Sequence, residues 1–585
     1  MRHFRGCLWA TCSRVVAPAL MMALLLVVVG CGAASTATPA PLATTAPAPA
    51  TGASATPTAM PLPTAIPASP AVNPGKLTIM VGDFGPERFD TLFATGGQGG
   101  RNYGRIMHGF LISANERKEM VPGIASQWGL SPDGLTWNFT IRKGLKFHDG
   151  SDITLDDALW TLQHYFGPQA IEYNAGASTA ATVSRMMDRI ELTGPDRVSL
   201  TTTKHRTDFA VLVSEAGDVW YPVMPKMAKL HDVEAEAAYD RNPIAAGPVR
   251  LVKHVKQSVM QFERFDDFYY QTKNGFPEDK RVNFQLLDLF LVPEEATRVA
   301  AVRAGEADIV PASLQTRKQV EAGGGRLVFG QESVVVEARL LGCWESKYPC
   351  HDKRVRQALQ YAIDKNLIRD KLYGGPEVFQ VKGWFSVTPS TIGYTPELDP
   401  WPQDVAKARQ LLADAGYPGG NGFGKLTVNT NPSTAMPLQV EAAQLAAEFW
   451  RRELGLDVEV RVGDASALNR QVRSGELNGQ ILWKDNETQV DPTIVITNRF
   501  GDPKGLTRLH EDPELFRLVQ ETFQILDANK RAEATKKMLL RLRDESHLIG
   551  VGYANIPWAV GPRVVRWQPQ PLSGYPSALH TITLK

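Results

Sequence analysis

Few residues of this 585-residue chain are typed and spaced for chemistry, and none form a catalytic set. There is no Gly-x-Ser-x-Gly, no His-Glu-x-x-His and no Gly-x-x-x-x-Gly-Lys-Ser/Thr. His108, His148 and His254 stand singly, so no metal and no cofactor is assigned, although His108 could reach a cleft. The glycines at 96–100 and 419–424 lack dinucleotide-binding spacing and read as loops. Cys343 and Cys350 are spaced Cys-x6-Cys, which is not a usual zinc pattern and would leave two sulfurs short of further ligands. What remains is a binding segment, Ile481-Leu-Trp-Lys-Asp-Asn-Glu-Thr-Gln-Val-Asp-Pro492. A strand that runs into a polar loop after Trp483 sets its side chains at the carboxyl end of a sheet, where open α/β sheets take ligands. Asp485 is the first carboxylate in that segment. Asp491 reads as a turn residue ahead of Pro492.

The first 75 residues belong to no folded element. Arg2, Arg5 and Arg14 precede an apolar run from Val15 to Val29, interrupted by Pro18 and too short for a stable span. This predicts a signal peptide over residues 1–30. Val28-Val29-Gly30-Cys31 resembles the lipobox of bacterial lipoproteins, with small Gly30 before the cut and the Cys31 thiol as lipid acceptor. Residues 32–75 carry no charge and are mainly Ala, Thr, Pro and Ser. Such composition cannot bury enough apolar area to offset ordering, so 31–75 is expected to be an extended tether. With Cys7 and Cys12 in the signal and Cys31 lipidated, only Cys343 and Cys350 remain in an extracytoplasmic body, and a disulfide between them is expected.

Removing that stretch leaves 60 basic and 62 acidic residues, too balanced for a nucleic-acid partner. With 43% hydrophobic residues the body can bury a large core, and its length suggests two to four domains or lobes. Lys76–Val81 alternates as a first strand. Ser131-Pro-Asp-Gly134 is a turn, and from Thr136 to Arg142 Trp137, Phe139 and Ile141 share one strand face. Thr154 with Asp157 forms a capping-box pattern opening a helix along Leu155, Leu159, Leu162 and Phe166. Later, Val355, Leu359 and Ile363 mark a helix, and another runs from Asp404 to Ala415, stopped by Gly416. Lys425 to Thr430, the helical pattern over Val440 to Leu454, and Leu456 to Val462 form a strand–helix–strand unit, hence an α/β fold with a parallel or mixed sheet.

Val121-Pro-Gly-Ile-Ala-Ser-Gln-Trp through Lys-Phe-His-Asp-Gly150 resembles one family signature, that of the extracytoplasmic solute-binding proteins of ABC importers. The resemblance is to the dipeptide/oligopeptide/nickel-binding class, bacterial extracellular solute-binding protein family 5. It continues through Arg241-Asn-Pro-Ile-Ala-Ala-Gly-Pro248, Val299 to Ile309, Asp352 to Lys365, Ala406 to Pro418 and Asp491-Pro492. Ala246 and Val249 depart from the family's usual Thr and Tyr, and Met107-His108 from its Tyr-Glu.

The resemblance implies two periplasmic-binding-protein-like α/β lobes, the large class with an extra subdomain, closing on ligand by a hinge. Mapped here, lobe I covers 76–330 with a C-terminal return over 550–585, and lobe II covers 331–549. It implies a monomeric, non-enzymatic, lipid-anchored receptor. Such a receptor captures a solute, above all a peptide, and hands it to permease subunits with their ATPases, on the extracytoplasmic face. Asp485 is the nearest match to the aspartate that pairs with a peptide's α-ammonium, with Trp483 and Asn486 beside it. Trp384 falls where relatives send a loop into the cleft, and Phe84 is the candidate from the other lobe. Two other readings are a sensor on the same binding fold and a receptor for an oligosaccharide or nickel chelate. A secreted hydrolase on a tether is a further one, for which no nucleophile and base are paired.

Overall fold

The computed structural model describes residues 75–90, 100–173, 178–217, 221–433, 436–501 and 511–585. The signal peptide, Cys31 and the tether up to residue 74 lie outside the described residues. Among those described, no helix is long and apolar enough to cross a membrane.

Lys76–Val81 forms a strand inside an 11-stranded mixed sheet. It pairs in parallel with Leu286–Leu291, and five of its six residues are buried, so both faces are covered. From one edge the order is Asp457–Val462, Lys425–Thr430, Ile481–Glu487, Arg326–Leu340, Leu548–Val560, Ile309–Pro311, Lys76–Val81, Leu286–Leu291, Val259–Arg264 and Val249–Val255. The short strand Phe379–Gln380 joins on Leu548–Val560. The strand–helix–strand unit is present as Lys425–Thr430, the helix Gln439–Leu454 and Asp457–Val462, the two strands parallel.

The sheet has two lobes because two of its strands cross between them. Arg326 to Gly330 pairs antiparallel with Val560 to Ile556 in lobe I, and Val334 to Arg339 pairs with Ala554 to Leu548 in lobe II. The register breaks between Gly330 and Val334, and Glu332 inside that break takes a left-handed φ of 52°. Every residue of Leu548–Val560 is buried. The first crossing is at the register break after Gly330. The second lies later than 549/550, since residues 550–554 still pair with lobe II, including Phe379 and Gln380. The tail then returns to lobe I, where the Lys118 ammonium donates to the Tyr575 hydroxyl at 3.1 Å.

Local signals are realised as local structure. Gly134 donates its N–H to Ser131 O at 2.8 Å with φ 72°, closing the turn before Thr136–Ile141, whose Trp137, Phe139 and Ile141 are buried. That strand belongs to a four-stranded antiparallel sheet with Ala125–Leu130, Arg197–Thr202 and Met187–Leu192, the extra subdomain of lobe I. Thr154 and Asp157 form a reciprocal capping box on the helix Leu155–Phe166. Asp404 caps Val405–Asp414, and Gly416 follows its end at φ 95°. Cys343 and Cys350 are joined, with Cα atoms 5.2 Å apart, just beyond Leu340.

Candidate functional site

The lobes touch through the extra subdomain. Arg206 and Asp208, both buried, form a bidentate pair at 2.7 and 2.9 Å, and the Arg206 guanidinium lies 4.8 Å from the centre of the Phe523 ring in lobe II. Asp491 is also buried, and burial first, then Asp208 across the boundary, raises its carboxyl above the ordinary aspartate range. Its Oδ1 accepts the Thr493 N–H at 3.0 Å, so the expected turn role is the geometry found.

Ile481–Glu487 runs antiparallel to Arg326–Leu340 and ends near the crossing, with Asp485 opposite Val336 and Asn486 opposite Val335. Alternation along the strand sends neighbouring side chains to opposite faces. On one face half-buried Asp485 accepts from Ser433 Oγ at 3.0 Å, and its N–H donates to Gln439 Oε1 at 2.8 Å. Ser433 Oγ in turn accepts the Met436 N–H at 3.2 Å. Met436 lines a small opening at the hinge, with Ser313 and Leu314 from lobe I, Tyr373 and Leu438 from lobe II, and Asn555 from the crossing strand. The Tyr373 hydroxyl has no hydrogen-bond partner among the described residues, and burial, then Glu441 and Asp485, raise its pKa.

The opposite face carries a charge cluster that the sequence reading did not single out. Glu337, fully buried, accepts from Arg339 Nε at 2.9 Å and from Arg499 Nη1 at 3.3 Å. Arg499 Nη2 donates to Asn486 Oδ1 at 3.0 Å, and the Asn486 amide donates to Ser386 Oγ. Burial, then Arg339, pull the Arg499 pKa down to about 9. Lys484, opposite Glu337, is pushed down as well, by desolvation and by both arginines against the opposing pull of Asp485. The Lys484 ammonium makes no hydrogen bond or ion pair among the described residues, and neither does Arg339 Nη2. Three cations thus face one carboxylate in a desolvated setting, an arrangement that favours an anion.

The aromatics expected at the site are packed elsewhere. Trp483 is 0% exposed within the main core. Trp384 is buried in a second cluster with Leu341, Phe385 and Leu482, so close to Gly550 that a Cβ there would lie 2.7 Å from Trp384 Cβ. Phe84 is buried edge-on to Tyr103, ring centres 6.1 Å apart. Each finds more apolar area to cover inside than at a wet opening. His108 lines a pocket within lobe I, and its ring nitrogens meet Gly104 O and the Tyr239 hydroxyl. Burial lowers its pKa to about 4. Ala246, Val249 and Met107 are fully buried, so these family departures sit in the core of lobe I.

Residues 119–504, well over half of the chain, match the model of the bacterial extracellular solute-binding proteins, family 5, middle region. Among curated relatives, Heme-binding protein A of Haemophilus influenzae is 24% identical over 485 residues, 78% of this chain and 83% of the relative. Oligopeptide-binding protein AppA of Bacillus subtilis is 21% identical over 517 residues, 85% of this chain and 88% of the relative. The solved structure of the ABC transporter-associated periplasmic binding protein DppA of Helicobacter pylori with the peptide STSA superposes with a TM-score of 0.71. It is 18% identical and covers 87% of this chain and 98% of that one.

Proposed function

Because the chain belongs to the family 5 bacterial extracellular solute-binding proteins, which bind solutes and are not enzymes, we propose that it is the lipid-anchored receptor of an ABC importer for short peptides. The observation that carries the ligand class is the carboxylate near the end of Ile481–Glu487. Asp485, on the face beside the opening lined by Met436 and Tyr373, is the carboxylate that takes a peptide's ammonium group. The cations on the opposite face, Lys484 and Arg499, cannot reach the same small ligand through the sheet. Ligand contacts made to both lobes shift the population toward closure, and the permease reads the closed shape. Cys31 keeps the receptor near its permease at high effective concentration.

Native mass spectrometry of the full chain, purified gently, tests this reading: bound masses that fragment as short peptides support it. Asp485→Ala should then weaken a peptide with a free amino terminus by about 2–5 kcal/mol and leave the N-acetylated peptide unaffected. Equal loss for both peptides removes Asp485 from the site. A second reading, an anionic solute that is not a peptide, is favoured by the surplus of cations over Glu337. It is the outcome if no peptide co-purifies and a carboxylate without an amine binds.

A further inference from the structure

Lobe I holds a buried group of metal-ligand type far from the charge cluster of lobe II. His164 lies in the last turn of Leu155–Phe166, and His231 and Glu236 flank and open the helix Val233–Arg241. One donor atom from each of the three lies within 4.8 Å of the others, and His231 Nδ1 is 3.9 Å from Glu236 Oε1. Their exposures are 0%, 6% and 4%. His164 Nε2 lies 2.8 Å from Asp90 Oδ2, and both side chains are fully buried. A carboxylate there holds the proton on Nε2 and leaves the Nδ1 lone pair available, and Nδ1 has no hydrogen-bond partner among the described residues. Glu236 Oε1 likewise accepts no hydrogen bond there.

We propose that His164, His231 and Glu236 bind a divalent transition-metal ion of the zinc class in lobe I, with Asp90 orienting His164 from behind. Two imidazole nitrogens and a carboxylate oxygen are the donors that zinc, cobalt and nickel share, and a carboxylate behind a ligating histidine is the usual support of such ions. An ion held at about 2.0–2.2 Å needs its donors roughly 3.3 Å apart; the His164 and His231 rings are stacked with centres 5.0 Å apart, so His231 closes the set by turning its ring edge toward the ion. The charge also closes: Glu236 and Asp90 neutralise a dication, while the nearby Arg88 and Asp240 are paired with each other. Without an ion, the group is costly. Glu236 Oε1 and His164 Nδ1 are then buried without a hydrogen bond among the described residues. His231 and Glu236 lie just before and within a helix whose first residue, Val233, is 71% exposed, so the site is close to the surface. A bound ion would tie Leu155–Phe166 to Val233–Arg241 inside one lobe, independently of what the cleft between lobes captures.

The test uses the full chain made without a histidine tag, stripped with chelator, dialysed, and titrated with zinc and cobalt in a calorimeter and by visible absorption. One ion per chain is expected, with the ligand-field band of low-coordinate cobalt and a rise in melting temperature that chelator reverses. Glu236→Gln and His164→Gln should each weaken the ion at least tenfold while circular dichroism stays native. No uptake by the stripped wild type overturns the proposal. So does uptake that Glu236→Gln, folded by circular dichroism, leaves unchanged, since the ion then sits elsewhere.

Discussion

Glu337→Gln is the most informative single change in lobe II. The side chain is fully buried and is the carboxylate to which Arg339 and Arg499 both donate, at 2.9 and 3.3 Å, with Lys484 directly opposite on the neighbouring strand. Glutamine keeps the volume and an acceptor oxygen, so packing is unchanged and only the charge is lost. The desolvated cluster then holds three cations and no counter-charge. Removing one partner of a buried ion pair costs about 3–5 kcal/mol, because the remaining charge stays buried without compensation. Arg499→Met costs less, since Glu337 keeps Arg339. In the double variant one surplus cation is gone, so the loss falls short of the sum by about 1–3 kcal/mol, the coupling expected of contacting groups. Urea unfolding followed by tryptophan fluorescence reads each variant as a midpoint shift at constant slope. If Glu337→Gln lies within about 1 kcal/mol of wild type, or the two changes simply add, the cluster is not the electrostatic unit described and its claim on an anionic ligand fails.

Other outcomes follow from the same coordinates. Reducing the Cys343–Cys350 bridge should cost about 2–3 kcal/mol from the freed short loop, seen as a lower melting temperature with reductant that a Cys343→Ser/Cys350→Ser variant does not show. Burial alone would raise the Asp512 pKa, but hydrogen bonds from His547 and Arg541 and the Leu515 N–H bring it well below the ordinary aspartate value. A depressed carboxyl stabilises the fold above its unfolded pKa of about 4 and loses that contribution as pH falls below it. Asp512→Asn should therefore lower stability at pH 7 and flatten the decline below pH 4; an unchanged acid slope refutes the assignment. Cys31→Ser should move the protein from the membrane fraction to the soluble one on fractionation, and continued membrane association refutes lipid anchoring.

The parts legible in the sequence are those whose partners are close along the chain. Thr154 and Asp157, the alternation of Trp137, Phe139 and Ile141, and the unit around Gln439–Leu454 were readable because three-residue and two-residue periods determine them. Depth along the strand was the first thing missed. A tryptophan two residues before Asp485 shares its face, but only the pairing of Ile481–Glu487 with Arg326–Leu340, which sets Trp483 opposite Ala338 and further from the crossing, shows that it lies in the core. Long-range charge was the second. Glu337 and Arg339 stand out as alternate charges in an apolar run, a signal available in the sequence, yet nothing local points to Arg499, 162 residues away from Glu337. His164 and His231 meet only because two helices pack, so no spacing rule could have joined them.

The interrupted ladder between the lobes also says how the molecule bends. Between Gly330 and Val334 the two long strands exchange no regular rungs, while pairing resumes on either side, with one further shift between Val336 and Glu337. Rotation concentrated in those few residues changes backbone torsions without tearing the sheet, so the two halves turn as stiff plates about a short flexure. The C-terminal return is fastened at that same place: Leu572 donates its N–H to Gln331 O at 2.8 Å, and Ser333 Oγ to Ser573 O at 3.0 Å. The segment around Leu572 and Ser573 is thus the clasp on the flexure. Replacing Ser333 by Ala removes one of the two bonds of that clasp and leaves the axis of rotation less guided, with the core of each plate untouched.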